Sequence, residues 1–132
     1  MSGNITLSSF SSRDRDWLSE LLTDEEVRKF LPQLTTDVDK FIHDMEIAEQ
    51  EGLGKFCIIR LDNIGVGFIS IYDLTENPFI FYAMLPEFRN KGYMKQAIRV
   101  IEKEYSLALS TVVDSSNKAS IKALAHTKIK TN

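Results

Sequence analysis

Four consecutive residues, Arg89-Asn90-Lys91-Gly92, stand between two apolar segments of different period. Arginine and lysine bring positive charge, and glycine lets a backbone approach a ligand where a Cβ would obstruct it. Upstream, residues 79–85 form a short apolar run rich in aromatics, which predicts a buried strand. Pro86 ends it, because proline has no N–H to give to a sheet ladder. Downstream, Tyr93, Ala97, Ile98, Val100 and Ile101 are spaced for one face of a helix. Strand, basic glycine loop and helix together make a phosphate site. The N–H groups of the first helical turn point at the anion, and the helix dipole favours it. The plain alternative is a strand–helix turn whose glycine serves backbone shape alone.

The elements that must hold this loop are legible along the chain. Its 132 residues are expected to form a single domain, 1–132, with a real core. Residues 5–10 suit a first strand, and Ser11 or Ser12 can cap a helix carrying Trp17, Leu18, Leu21 and Leu22 on one face. Thr23 and Glu26 have capping-box spacing for a short helix stopped by Pro32. A helix from about Asp37 carries Val38, Phe41, Ile42, Met45 and Ala48, with Gly52 at its end and His43 off the apolar face. Residues 55–61 and 64–72 read as strands joined by an Asp62-Asn63 hairpin turn. Gly65 and Gly67 on the second strand predict a bulge or a close approach of another chain segment. A strand over 107–113 and a helix opened by Asn117 complete the order. That order predicts an α+β sandwich around one mainly antiparallel sheet.

Charge divides the chain. Residues 1–87 hold 7 Lys/Arg against 16 Asp/Glu, whereas residues 88–132 hold 9 against 3. A basic half beside an acidic half suits a phosphate-rich cofactor on one side and a cationic amine on the other. No dense basic run or aromatic-interleaved basic stripe suggests nucleic acid. No apolar run reaches bilayer-spanning length, and no signal-peptide pattern opens the chain, so no membrane association is expected. The single cysteine, Cys57, sits in an apolar run and reads as a core thiol rather than a nucleophile. One cysteine cannot make an internal disulfide, and the cytoplasm is the expected compartment.

Residues 89–94, Arg-Asn-Lys-Gly-Tyr-Met, resemble the Arg/Gln-x-x-Gly-x-Gly/Ala signature of the GNAT superfamily of N-acetyltransferases. The wider wording, Tyr82-Ala83-Met84-Leu85-Pro86-Glu87 followed by Lys91-Gly92-Tyr93-Met94 and Ala97, is similar to the subgroup that acetylates ribosomal-protein N-termini. So are Asp24-Glu25-Glu26-Val27-Arg28 with Phe30-Leu31-Pro32, the Gly65-Val66-Gly67-Phe68-Ile69 strand, and Asn117-Lys118-Ala119-Ser120, which resembles an Asn-x-x-Ser motif.

The resemblance implies a GNAT-like, mainly antiparallel twisted sheet flanked by helices, with acetyl-coenzyme A as cosubstrate and no metal. Its acceptor would be a primary amine, either a protein N-terminus or a small molecule. The backbone of Met84 and Leu85 would pair with the pantetheine arm like an added strand and polarise the thioester carbonyl. The pyrophosphate would rest on Asn90, Lys91, Gly92, Tyr93 and Met94, with charge from Arg89 and Lys91. Asn117, and the helix containing Ser120, would border the pantetheine. Glu76 is the candidate general base. Leu124 stands where many members carry a tyrosine acid, and the sequence ends at Asn132 without residues for the fold's C-terminal strand pair. A C-terminally truncated fold would leave the 107–113 strand with an open outer edge, so a homodimer or higher assembly is expected. The alternative function is a truncated relative that binds coenzyme A or a partner protein without turnover.

Overall fold

Asp62 and Asn63 both adopt left-handed backbone angles, φ 48° and 75°, and close the tight hairpin that sets the register of the sheet. In the computed structural model, which describes residues 3–72, 79–104, 110–111, 117–124 and 130–131, this hairpin joins β2 (Gly54–Leu61) to β3 (Ile64–Tyr72). β1 (Ile5–Ser8) pairs antiparallel with β2, and β3 pairs antiparallel with β4 (Phe79–Met84). Two parallel strands follow, β5 (Ser110–Thr111) beside β4 and β6 (Lys130–Thr131) beside β5. The described strands form one six-stranded sheet in the order β1-β2-β3-β4-β5-β6. The expected α+β, mainly antiparallel architecture is therefore the one found.

Five helices cover the sheet among the described residues: α1 (Arg15–Leu22), α2 (Glu25–Phe30), α3 (Val38–Gln50), α4 (Tyr93–Glu104) and α5 (Lys118–Leu124). Strand alternation splits the core between the two faces. One face packs Phe56, Ile58, Phe68 and Ala83 against Leu18, Leu21, Leu22, Val27, Val38 and Phe41 of α1 to α3. The other packs Cys57, Ile59, Ile69, Ile71, Ile80 and Met84 against Ala97, Ile98, Ile101, Ala123 and Leu124 of α4 and α5. Phe68 touches Phe41, Phe56 and Phe81 at ring separations of 5.3, 5.8 and 6.1 Å, which locks α3 to the sheet centre.

The glycines of β3 do what their spacing predicts. The β2–β3 register slips between Ile59 and Arg60, so Val66 is bulged between Gly65 and Gly67. A Cβ on Gly67 would lie 2.5 Å from the Ala83 carbonyl oxygen, so this position admits only glycine without a backbone shift. Arg60, at the bulge, is buried and reaches Asp14 through two bonds of 2.9 and 2.8 Å. Asp14 also accepts from Trp17 Nε1 and from the Ser11 amide, so this buried ion pair is fully hydrogen-bonded. Burial alone would raise the Asp14 pKa, but the Arg60, Ser11 and Trp17 donors outweigh it and the pKa is lowered. Burial also pushes the Cys57 thiol up to about 11, as suits a core residue rather than a nucleophile.

Three expectations are corrected. The cap of α2 is Asp24, whose carboxylate accepts from the Glu26 and Val27 amides, while Thr23 ends α1 by donating to the Glu20 carbonyl. Either residue satisfies capping chemistry, and the turn between the helices selects Asp24. Val100, read onto the apolar face of α4, is exposed, because it stands about 200° round the helix from the buried Ile98. Finally, the outer edge of β5 is not open: β6 pairs with it at Ser110↔Lys130 and Thr111↔Thr131. The tail supplies the neighbour that an edge strand needs at these two positions, and the rest of the expected 107–113 strand lies outside the described residues.

Candidate functional site

β4, α2, the turn after β4, the start of α4, and α5 enclose a cavity of about 490 Å³. Alternation along β4 decides which groups face it. Leu85 N–H donates to the Val66 carbonyl at 2.9 Å, continuing the ladder with β3. By antiparallel alternation, the main-chain groups of Tyr82 and Met84 then point away from β3, toward the β5 side. There, among the described residues, β4 and β5 pair at one register position, Phe79↔Ser110. The cavity lies along this strand, with Tyr82 and Met84 on its wall.

The loop before α4 has the backbone its sequence predicts. Asn90 and Gly92 take left-handed angles, φ 61° and 83°. A Cβ on Gly92 would meet nothing within 4 Å, so the space over the loop is open. The first α4 bond runs from Gln96 N–H to the Gly92 carbonyl at 3.2 Å. The N–H groups of Tyr93, Met94 and Lys95 therefore have no acceptor within the helix, and all three residues line the cavity. Lys95 and Lys122 add cationic wall on the same side as α4 and α5.

Arg89 does not extend toward that loop as a phosphate cation. Its Nε donates to the Met84 carbonyl at 2.9 Å, and its Nη2 donates to Asp24 Oδ2 at 2.6 Å. Its Nη1 meets Glu26 Oε2 at 3.0 Å, and the side chain is only 17% exposed. The guanidinium thus ties the end of β4 to the cap of α2. Leu85 is also displaced from its expected role, because its amide is spent on Val66. Lys91 is exposed and is not among the described cavity-lining residues.

Asn117 and Ser120 meet the cavity from α5. The Ser120 amide donates to Asn117 Oδ1 at 3.1 Å, so the asparagine caps the helix, and its amide nitrogen has no partner among the described residues. The Ser120 hydroxyl is hydrogen-bonded to the Tyr82 phenol. Burial raises the Tyr82 pKa, against the opposing effect of the Ser120 bond, so the phenol stays protonated at neutral pH.

Of the expected site residues, Met84, Arg89, Asn90, Gly92, Tyr93, Met94, Asn117 and Ser120 come together around this cavity. Glu76 lies outside the described residues. Lys95, Lys122 and the pairing of Tyr82 with Ser120 were not singled out, whereas Glu26, Val27, Phe30 and Leu31 of the α2 wall lie within segments already quoted for the family resemblance. Strand alternation could have placed Tyr82 with Ile80 and Met84 on the α4 face. Nothing in the sequence measures the distance from α2 to β4.

These residues fit acetyl-coenzyme A: the Met84 N–H on the cleft side of β4, without a partner among the described residues, for the amide-rich arm, and three helical N–H groups with two lysines for the phosphates. Among the described residues no helix is long and apolar enough to cross a membrane, and no acidic, histidine or cysteine cluster could hold a metal.

Comparison with known proteins agrees with this geometry. A family model described as an acetyltransferase (GNAT) domain matches residues 4–130. No curated protein matches the chain in sequence. Mycobacterium smegmatis RimJ in complex with a coenzyme A disulfide superposes with TM-score 0.81 at 19% identity, over 94% of this chain and 69% of that one. RimL, a ribosomal alpha-N-protein acetyltransferase in complex with coenzyme A, gives TM-score 0.73 at 17% identity, over 90% and 76%. Spermidine N-acetyltransferase from Vibrio cholerae, in complex with coenzyme A and spermine, gives 0.63 at 11%, over 78% and 64%. The fold is that of these structures, and the chain belongs to the GNAT acetyltransferase family.

Proposed function

We propose that this domain moves an acetyl group from acetyl-coenzyme A to a primary amine, either a protein N-terminus or a small molecule. One observation carries the reading. The α4 N-terminus, with no intrahelical acceptor for three N–H groups, faces the open space over Gly92 at one side of a cavity bordered by the cleft edge of β4. Acetyl-coenzyme A supplies the activated acyl group. The chain's own groups do the rest. Tyr93, Met94 and Lys95 amides hold the pyrophosphate, and Lys95 and Lys122 add charge. The Met84 N–H faces the cleft and donates to a carbonyl there. The hydroxyl pair of Tyr82 and Ser120 offers a proton to the leaving sulfur in place of the tyrosine absent at Leu124, and the proton that the attacking amine loses restores it.

The second reading, a coenzyme A-binding relative without turnover, draws on Leu124. That side chain is 7% exposed in the core, so it leaves no acid at that position. Two measurements separate the cases. A ligand at about 100 times its dissociation constant stabilises a fold by about 2.7 kcal/mol, so acetyl-coenzyme A should raise the melting temperature, and dephospho-coenzyme A should raise it less. Consumption of acetyl-coenzyme A with a panel of amines then decides turnover. A melting temperature unmoved by millimolar ligand refutes both readings.

A further inference from the structure

Glu26 is the one acidic side chain among the described residues lining the cavity. The other charged groups on that wall are cations: Arg89, Lys95 and Lys122. Lys95 and Lys122 stand on α4 and α5, the phosphate side, whereas Glu26 projects from α2 on the opposite wall. Its carboxylate is held from one side only. Arg89 Nη1 meets Oε2 at 3.0 Å, and Arg89 is itself pinned by Asp24 Oδ2 and the Met84 carbonyl. Oε1 has no partner among the described residues, and the Glu26 side chain is 53% exposed, open to an incoming group. Val27, Phe30 and Leu31 make the neighbouring wall apolar.

We infer that Glu26 is the acceptor-recognition residue and that its outer carboxylate oxygen takes the ammonium of the incoming amine. This rests on the acetyltransferase reading. An ammonium entering an apolar wall needs a charged partner, and the described cavity offers one. Arg89 is the positioning residue: its planar fork satisfies Asp24 and the Met84 carbonyl while orienting Oε2, which a lysine's single point charge cannot reproduce.

The experiment is calorimetric binding of amines to the full chain saturated with coenzyme A, where no acyl group is present to react. The probe is alanyl-alanine amide, with one ammonium. Glu26→Gln should weaken the dipeptide amide roughly 10- to 100-fold, the range for losing a charge-assisted hydrogen bond, with coenzyme A affinity unchanged. Glu25→Gln, an exposed neighbour off the cavity wall, is the control and should change neither affinity. Unchanged amine affinity in Glu26→Gln, with coenzyme A still bound, overturns the role of Glu26 and leaves the acetyltransferase reading standing. Failure of the unsubstituted protein to bind coenzyme A removes the functional reading and this inference together.

Discussion

Arg89 Nη2 donates to Asp24 Oδ2 at 2.6 Å, joining residues 65 positions apart in the chain. The same carboxylate oxygen accepts the Glu26 amide at 3.1 Å, so one atom both caps α2 and receives the arginine. This bond ties the cap of α2 to the segment that follows β4. The most conspicuous cation of the glycine loop therefore does structural work between α2 and β4.

Arg89→Ala should accordingly cost about 1.5–3 kcal/mol of stability, the range for hydrogen bonds to charged groups. Urea denaturation of the unliganded protein measures it. Arg89→Lys should recover only part of the loss. If Arg89 instead worked on phosphate, stability would be unchanged and the salt dependence of coenzyme A binding would fall.

Gly92→Val should abolish coenzyme A binding while leaving a folded protein. At φ 83° a β-branched residue is strained by about 1–3 kcal/mol, and its side chain would occupy the open space over the α4 N-terminus. Circular dichroism checks the fold and calorimetry checks the ligand. Normal binding by this variant would show that the loop is no phosphate cradle.

Tyr82→Phe keeps the ring and removes the hydroxyl bonded to Ser120, so stability should drop by only about 1 kcal/mol. With a hydroxyl pair serving the leaving sulfur, kcat should fall while KM for both substrates holds. Equal kcat in the variant would assign the proton to water or to Ser120 alone.

The Asp14–Arg60 pair predicts an acid limit to stability. The Asp14 pKa is lowered in the folded state, so its contribution is complete above the unfolded carboxylate value of about 3.9 and is lost as pH falls through the folded value. Asp14→Asn should flatten this acid loss. It should also cost about 3–5 kcal/mol near neutrality, because the Arg60 charge stays buried without its counter-ion. Denaturant midpoints measured across acidic pH decide it.

Sequence alone determined the elements whose cause is local. Asp62-Asn63 specifies the hairpin because those two residues tolerate left-handed angles, and Gly92 specifies the loop for the same reason. The period of Tyr93, Ala97, Ile98 and Ile101 determined which side of α4 meets the sheet, since 3.6 residues per turn leave one apolar face. Only the tertiary structure decided what depends on distance between remote segments. Arg89 looked like a phosphate ligand because its immediate neighbours are Asn90 and Lys91, yet Asp24 and Glu26 lie closer in space and an ion pair follows proximity, not sequence. Likewise β6 consists of two residues, too short for any periodic signal, and becomes a strand because β5 offers it unpaired backbone groups.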